Sequence, residues 1–235
     1  MLATLMLLAA GVALRLVEYT SGRALWLDES LLWLNLRGLS FRELTGPLDL
    51  GQGAPIPFLL VEKSALEVLG DAEWALRLPS LVAGIALLPV VALLAARLLT
   101  PGRAWVALAP VALGVPAIAY SSQVKQYGID ALVAGLLLLV LLPAARAPLT
   151  RGRAAGLALA GAAAVWCSDP AVFVLAGGGA ALLISAAVAR DRSRLTALGW
   201  VVAAWLASFA VLYVVHVRDL AVVRGLATSD SSGGS

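Results

Sequence analysis

The sequence has very little of what a disulfide-stapled or zinc-dependent protein needs. Its single cysteine, Cys167, excludes an intrachain disulfide, and its single histidine, His216, excludes the usual histidine-rich zinc sites. Charged residues make up only 13% of the 235 positions, against 61% hydrophobic residues, and the mean hydropathy is +0.94. These values exclude an ordinary soluble domain. Any bound metal would have to be held by carboxylates.

A nucleic-acid partner is not indicated either. The net charge of +3 and the pI near 9.4 are basic, but the arginines lie between apolar segments and not on a soluble face. Several apolar stretches reach the ~20 residues that a helix needs to cross a membrane. None alternates with the two-residue period of a barrel strand. The sequence therefore predicts an all-α, polytopic transmembrane bundle.

About seven spanning helices are expected. The first could be a signal peptide, but it lacks a basic start and a clear cleavage site, so we interpret it as the first membrane helix. The predicted helices cover 1–17, 78–99, 104–120, 128–145, 154–168, 171–189 and 195–217.

Arginine is concentrated in three connections between these helices. The positive-inside rule places such connections in the cytoplasm. They are 97–103, 146–153 and 190–194, with eight arginines and one acid, Asp191. The remaining connections are then extracytoplasmic, and 13 of the 14 acidic residues lie on or near that side. This assigns residues 1–217 to a transmembrane module and 218–235 to an extracytoplasmic tail, either a flexible linker or a truncation.

The topology holds only if residues 55–70 do not cross the membrane. Apolar positions such as Phe58, Leu59 and Leu66 are interrupted there by charges, which favours an amphipathic helix on the outer surface. The outer loop 18–77 is therefore long and contains surface helices. Gln52 and Pro55 precede this helix, as a turn followed by a helix start.

Two charged groups in the outer regions are candidates for chemistry. Asp28 and Glu29 are adjacent, and adjacent helical residues face different ways, so one carboxylate can enter a site while the other supports it. The alternative is that Asp28 or Ser30 caps a short helix running through Arg37.

The second group lies in the connection 120–130. Lys125 and Tyr127 place donors at membrane level, and Asp130 can reach back toward them. A lysine there can simply snorkel to the interface, or it can hold a lipid phosphate. Arg77 and Arg15, near the outer ends of their helices, are further candidates for binding that phosphate.

The order of several motifs resembles the GT-C superfamily of membrane glycosyltransferases, most closely the bacterial members related to protein O-mannosyltransferases and lipid A aminoarabinose transferases. The motifs are Arg-Leu at 15–16, Leu-Trp-Leu-Asp-Glu at 25–29, Gln52 with Pro-Ile-Pro at 55–57, Gly-Asp-Ala-Glu-Trp-Ala-Leu-Arg-Leu-Pro-Ser at 70–80, Tyr-Ser-Ser-Gln-Val-Lys-Gln-Tyr at 120–127 and Ser-Asp-Pro-Ala-Val-Phe at 168–173.

The resemblance implies a multi-pass cell-membrane enzyme whose active face is extracytoplasmic. It would move a sugar from a polyprenyl-phosphate donor to an acceptor of unknown identity, with inversion, using Asp28 as base and Glu29 beside it. Lys125 and Tyr127, with Arg77, would stabilise the departing phosphate. Some relatives carry a second acid or a histidine for a metal where this chain has Gln123 and Lys125. A divalent cation, though possible, is therefore not expected.

Two other functions compete with this one. A non-catalytic membrane module could bind a lipid-linked sugar or scaffold a partner, which the short length favours. A transporter would need polar residues at mid-membrane and repeat symmetry, and the later predicted helices have almost no such residues.

Overall fold

The computed structural model describes residues 1–100 and 102–231, with side chains described for 1–100 and 102–215. These residues form helices and no strand, which confirms the predicted all-α class. The helices are α1 (Leu2–Tyr19), α2 (Leu27–Gly38), α3 (Ile56–Leu69), α4 (Glu73–Leu98), α5 (Ala104–Leu113), α6 (Val115–Ala119), α7 (Tyr127–Arg146), α8 (Arg151–Cys167), α9 (Ala171–Val188) and α10 (Arg192–Ser231), with 3₁₀ turns at Glu43–Thr45 and Tyr120–Ser122. The predicted tail at 218–235 lies outside the residues whose side chains are described.

Five helices are long and apolar enough to cross a membrane: α1, α4, α7, α9 and the Arg192–Val215 part of α10. A sixth span is possible if α5 and the segment Val115–Ser122 count as one element, bent by 61°. α8 has 17 residues. The described residues therefore contain five or six candidate membrane spans, as expected for a membrane protein, where about seven were predicted.

The bend between α5 and α6 follows from the local sequence. Pro116 has no N–H, so the carbonyl of Ala112 loses its helical partner. Arg15 of α1 supplies the missing donors, with Nη2 2.9 Å from the Val111 carbonyl and Nη1 3.4 Å from that of Ala112. Nη1 also donates to the Gly11 carbonyl at 3.0 Å, and Arg15 is fully buried. Its charged donors thus stabilise a helix break inside the bundle.

The predicted surface helix is present as α3, and it helps to form a small apolar core at one end of the bundle. Phe58, Leu59 and Leu66 pack there against leucines of α2, of α4 and of the 3₁₀ turn at Glu43–Thr45. Val124, which precedes Lys125, is buried in the same core. The segment between α1 and α4 is therefore packed against the 120–127 connection by apolar burial.

The arginine-rich connections meet at the other end. Arg146 donates to the Arg97 carbonyl at 2.7 Å, and Arg194 donates to the Ala144 carbonyl at 2.7 Å. Near the starts of α4 and α7, Ser80 donates to the carbonyl of Lys125 at 3.2 Å. α4 and α7 therefore run side by side in the same direction, and α5 with α6 returns the chain between them.

Candidate functional site

Three separate segments meet at the Lys125 ammonium. Lys125 Nζ lies 3.4 Å from Asp28 Oδ2 in the first turn of α2, and it donates to Gln52 Oε1 at 3.1 Å. The lysine is 9% exposed, whereas the side chain of Asp28 is 56% exposed. The sequence-predicted residues Asp28, Gln52 and Lys125 thus share one site, with the carboxylate on its open side.

Glu29 is a buried residue that positions this site through backbone hydrogen bonds. It is 1% exposed, and both of its carboxylate oxygens accept backbone hydrogen bonds. Oε2 accepts from the N–H of Trp26 at 2.8 Å, and Oε1 accepts from the N–H of Val124 at 2.7 Å. α2 begins at Leu27, so the cap comes from Glu29, and the capping interpretation is wrong for Asp28 and Ser30. With both oxygens occupied, Glu29 positions the site and does not itself face the open side.

The backbone of Lys125 is fixed from two sides. The N–H before it is held by Glu29, and its own carbonyl accepts from the buried hydroxyl of Ser80. Because the stem of the lysine is also buried, its ammonium has a defined position. Ser80 was not singled out by the sequence, since a single serine near a helix start has many ordinary roles.

Gln52 is positioned by a buried amide that sequence reasoning missed. Asn35 of α2 is 3% exposed and pairs with the backbone of Asp49 at two points. Nδ2 donates to the Asp49 carbonyl at 3.2 Å, and the Asp49 N–H donates to Oδ1 at 2.7 Å. Leu50 and Gly51 then adopt left-handed φ values of 60° and 68° before Gln52. The sequence did contain a signal for this role of Asn35, because an amide side chain within the apolar run Leu-Trp-Leu-Asn-Leu needs hydrogen-bond partners when it is buried.

The two predicted arginines are placed elsewhere. Arg77 is buried, lies 3.5 Å from Glu73 and donates to the carbonyl of Arg23. Arg15 is bound to backbone carbonyls at the α5–α6 bend. Neither forms a hydrogen bond or ion pair with Asp28 or Lys125 among the described residues, so the structure leaves Lys125 as the cation of the site.

The remaining predicted residues lie around the 120–130 connection. Tyr127 is 44% exposed and packs against Tyr120, with ring centroids 5.0 Å apart and planes inclined by 55°. Gln123 is half-buried. Asp130 is half-buried in the first turn of α7, and its Oδ1 has no hydrogen-bond partner. Among the described residues, none of these three forms a hydrogen bond or an ion pair with Asp28 or Lys125.

Two cavities lie among the later helices. A cavity of about 400 Å³ between α8, α9 and α10 is lined by residues such as Leu175, Trp205 and Phe209. A second cavity of about 190 Å³ shares Phe209 with it and reaches Pro55. Pro55 follows Gln52 by three residues in the sequence.

Another buried carboxyl lies outside the site. Glu62 of α3 is fully buried, and neither oxygen has a hydrogen-bond partner. The neighbouring Lys63 pairs with Glu67 instead, at 2.8 Å. Burial raises the pKa of Glu62 well above its ordinary value.

Among the described residues, no group of three or more histidine, cysteine, aspartate or glutamate side chains could hold a metal ion.

The chain matches no protein-family model, and searches of curated proteins and of solved structures find no similar protein. The resemblance to GT-C enzymes therefore remains a prediction.

Proposed function

We propose that this chain is a membrane glycosyltransferase that moves a sugar from a polyprenyl-phosphate donor to an acceptor at the extracytoplasmic face. The observation that carries the proposal is the contact between an exposed carboxylate, Asp28, and a buried-stem lysine, Lys125, from segments far apart in sequence. A base and a phosphate-binding cation side by side are what this transfer requires.

Asp28 is the proposed base. Its carboxylate is the exposed member of the pair, so an acceptor hydroxyl can reach it. Asp28 takes the hydroxyl proton while the oxygen attacks the anomeric carbon from the face opposite the phosphate. The bond from the anomeric carbon to the phosphate oxygen breaks, the lipid phosphate leaves, and the configuration inverts.

Lys125 is the proposed ligand of that phosphate. Its ammonium stabilises the charge that grows on the leaving group, in a position fixed before the substrate arrives. Gln52 holds the ammonium through its amide oxygen, and Glu29 holds the backbone beside it. No metal has a role in this proposal.

The proposed topology has seven crossings: α1, α4, the α5–α6 pair, α7, α8, α9 and α10. At ~1.5 Å per residue α8 is about 25 Å long, close to the ~30 Å of the hydrocarbon core. The contacts of Arg146 and Arg194 put the arginine-rich connections at one end, which we assign to the cytoplasm. The site then faces outward, and the apolar cavity between α8, α9 and α10 is the proposed place of the prenyl chain.

The test is sugar transfer in proteoliposomes supplied with a radiolabelled polyprenyl-phosphate sugar. We expect Asp28→Asn to lower the rate by about 10²–10⁴-fold, because the amide cannot accept the proton. Asp71→Asn is the matched control, since Asp71 is an acid of the same outer region that contacts Trp33 and Arg37. Equal transfer by wild type and Asp28→Asn removes Asp28 from the mechanism. Wild-type protein inactive with every donor favours the non-catalytic module instead.

A further inference from the structure

We infer that Lys125 is shared between Asp28 and the donor phosphate, so that binding of a lipid phosphate releases Asp28 to act as base. The inference rests on the proposed function and adds an order to it: donor first, then a free carboxylate. Asp28 and a phosphate are both anions that need the same ammonium.

The ammonium binds its two partners unequally. Lys125 Nζ carries three N–H donors, of which one is used by Gln52 Oε1 at 3.1 Å. Asp28 Oδ2, at 3.4 Å, is the more distant of its two partners. The two partners are therefore unequal, and Asp28 is the one that a stronger anion displaces.

The difference in exposure between Gln52 and Asp28 also favours Asp28 as the partner that is displaced. Gln52 is half-buried and is tied to α2 through Asp49 and Asn35, so it stays in place. The side chain of Asp28 is more than half exposed, and its contact with Lys125 is its one ion pair in the described residues. Water can therefore solvate the Asp28 carboxylate when the pair separates, and the arriving phosphate takes its place at the buried ammonium.

Neither of the two arginines predicted to bind the phosphate is free to take over from Lys125 in the described residues. Arg77 is bound to Glu73 and to the carbonyl of Arg23, and Arg15 is bound to the carbonyls of the α5–α6 bend. A phosphate entering the site meets one ammonium, already shared with a carboxylate. In the inferred order, the phosphate replaces Asp28 at this ammonium, and the freed carboxylate can then accept the proton of the acceptor hydroxyl.

The experiment measures binding of a short-chain polyprenyl monophosphate to the full chain in lipid nanodiscs, with the uncharged polyprenol as the comparison ligand. Five proteins are compared: wild type, Asp28→Asn, Lys125→Met, the double variant and, as a control, Asp71→Asn. We expect Asp28→Asn to tighten Kd about 3–10-fold, because the competitor for the ammonium is gone. Lys125→Met weakens Kd by at least about tenfold. In the double variant the gain from Asp28→Asn disappears.

The outcomes separate the inference from the function. Unchanged affinity of Asp28→Asn overturns the sharing of Lys125. If Asp28→Asn tightens Kd equally in the presence and in the absence of Lys125, the sharing is also overturned, because that result would come from simple repulsion between the Asp28 carboxylate and the phosphate. Wild-type binding of the phosphate no tighter than of polyprenol overturns the proposed function itself. If Lys125→Met does not fold, Lys125→Gln, which keeps a polar end, takes its place in the cycle.

Discussion

Glu29 Oε1 accepts a hydrogen bond from the backbone N–H of Val124 at 2.7 Å, across 95 positions of sequence. The bond is buried and joins the start of α2 to the connection that precedes α7. Since Asp28 and Lys125 are the immediate neighbours of these two residues, this bond sets the distance between the proposed base and the proposed phosphate ligand.

Replacing Glu29 should therefore lower stability as well as activity. Glu29→Ala leaves the N–H groups of Trp26 and Val124 without acceptors, and we expect a loss of about 2–4 kcal/mol in the free energy of unfolding. Glu29→Gln keeps one acceptor oxygen and should lose about half as much. Thermal unfolding in detergent micelles measures both.

Glu18→Gln is the control for Glu29. Glu18 lies 3.3 Å from Arg23 in a partly exposed pair, which contributes little to stability. If Glu29→Ala unfolds at the temperature of Glu18→Gln, the link between α2 and Val124 does not hold the site together.

Asn35 should control the mobility of the segment that carries Gln52. Asn35→Ala removes both contacts with the Asp49 backbone, and we expect faster amide hydrogen exchange at 49–54 and a loss of about 1–3 kcal/mol. Ser64→Ala is the control, because its hydroxyl contacts only the carbonyl of Leu60 in the same helix. Exchange in this segment that is equal in the two variants contradicts the positioning role of Asn35.

Much of the helical framework was predictable from the sequence. Apolar length alone predicted helices at 78–99, 128–145 and 171–189, and the structure has Glu73–Leu98, Tyr127–Arg146 and Ala171–Val188. The break between α5 and α6 was missed, although Gly114 and Pro116 signal it. One continuous helix at 104–120 was expected because its hydropathy is uninterrupted.

The site was predictable only in part. The different directions of Asp28 and Glu29 follow from helical geometry, but which carboxylate faces Lys125 depends on a contact with Val124 that no local pattern encodes. Arg15 was expected at a phosphate because an arginine near a membrane surface commonly binds one. Its hydrogen bonds to the carbonyls of the α5–α6 bend depend on how α1 packs against α5, which is a property of the assembled bundle.

Gly84 should tolerate no side chain. A Cβ at this position would lie 2.3 Å from Cβ of Ser121, in the 3₁₀ turn that leads to Lys125. We expect Gly84→Ala to lower stability by about 1–3 kcal/mol through overpacking. Gly177→Ala, in α9 with no atom within 4 Å of the added carbon, should be neutral. Combining Gly84→Ala with Ser121→Gly should recover part of the lost stability, and thermal unfolding that shows no recovery excludes this clash as the cause.

Glu62 should make the stability of the fold depend on pH. Because burial raises the pKa of Glu62 above the ordinary 4.5, the folded protein holds this proton over a pH range in which the unfolded chain has released it. Stability is then greatest below about pH 4.5 and falls as the pH rises toward the folded value. Glu62→Gln removes the ionisation, so we expect it to be more stable than wild type at pH 8 by about 1–3 kcal/mol, with the difference shrinking toward pH 4.

Glu43→Gln gives the opposite sign and serves as the control for Glu62. Hydrogen bonds from Ser40 lower the pKa of Glu43, so its carboxylate stabilises the fold above pH 4.5 and loses that effect as the pH falls. Glu43→Gln should therefore be less stable than wild type at neutral pH and equal to it in acid. Denaturant titrations at several pH values give both difference curves. If the stability of Glu62→Gln and that of wild type change in parallel from pH 4 to pH 8, Glu62 does not release its proton on unfolding. The predicted contribution of this carboxyl to the pH dependence is then wrong.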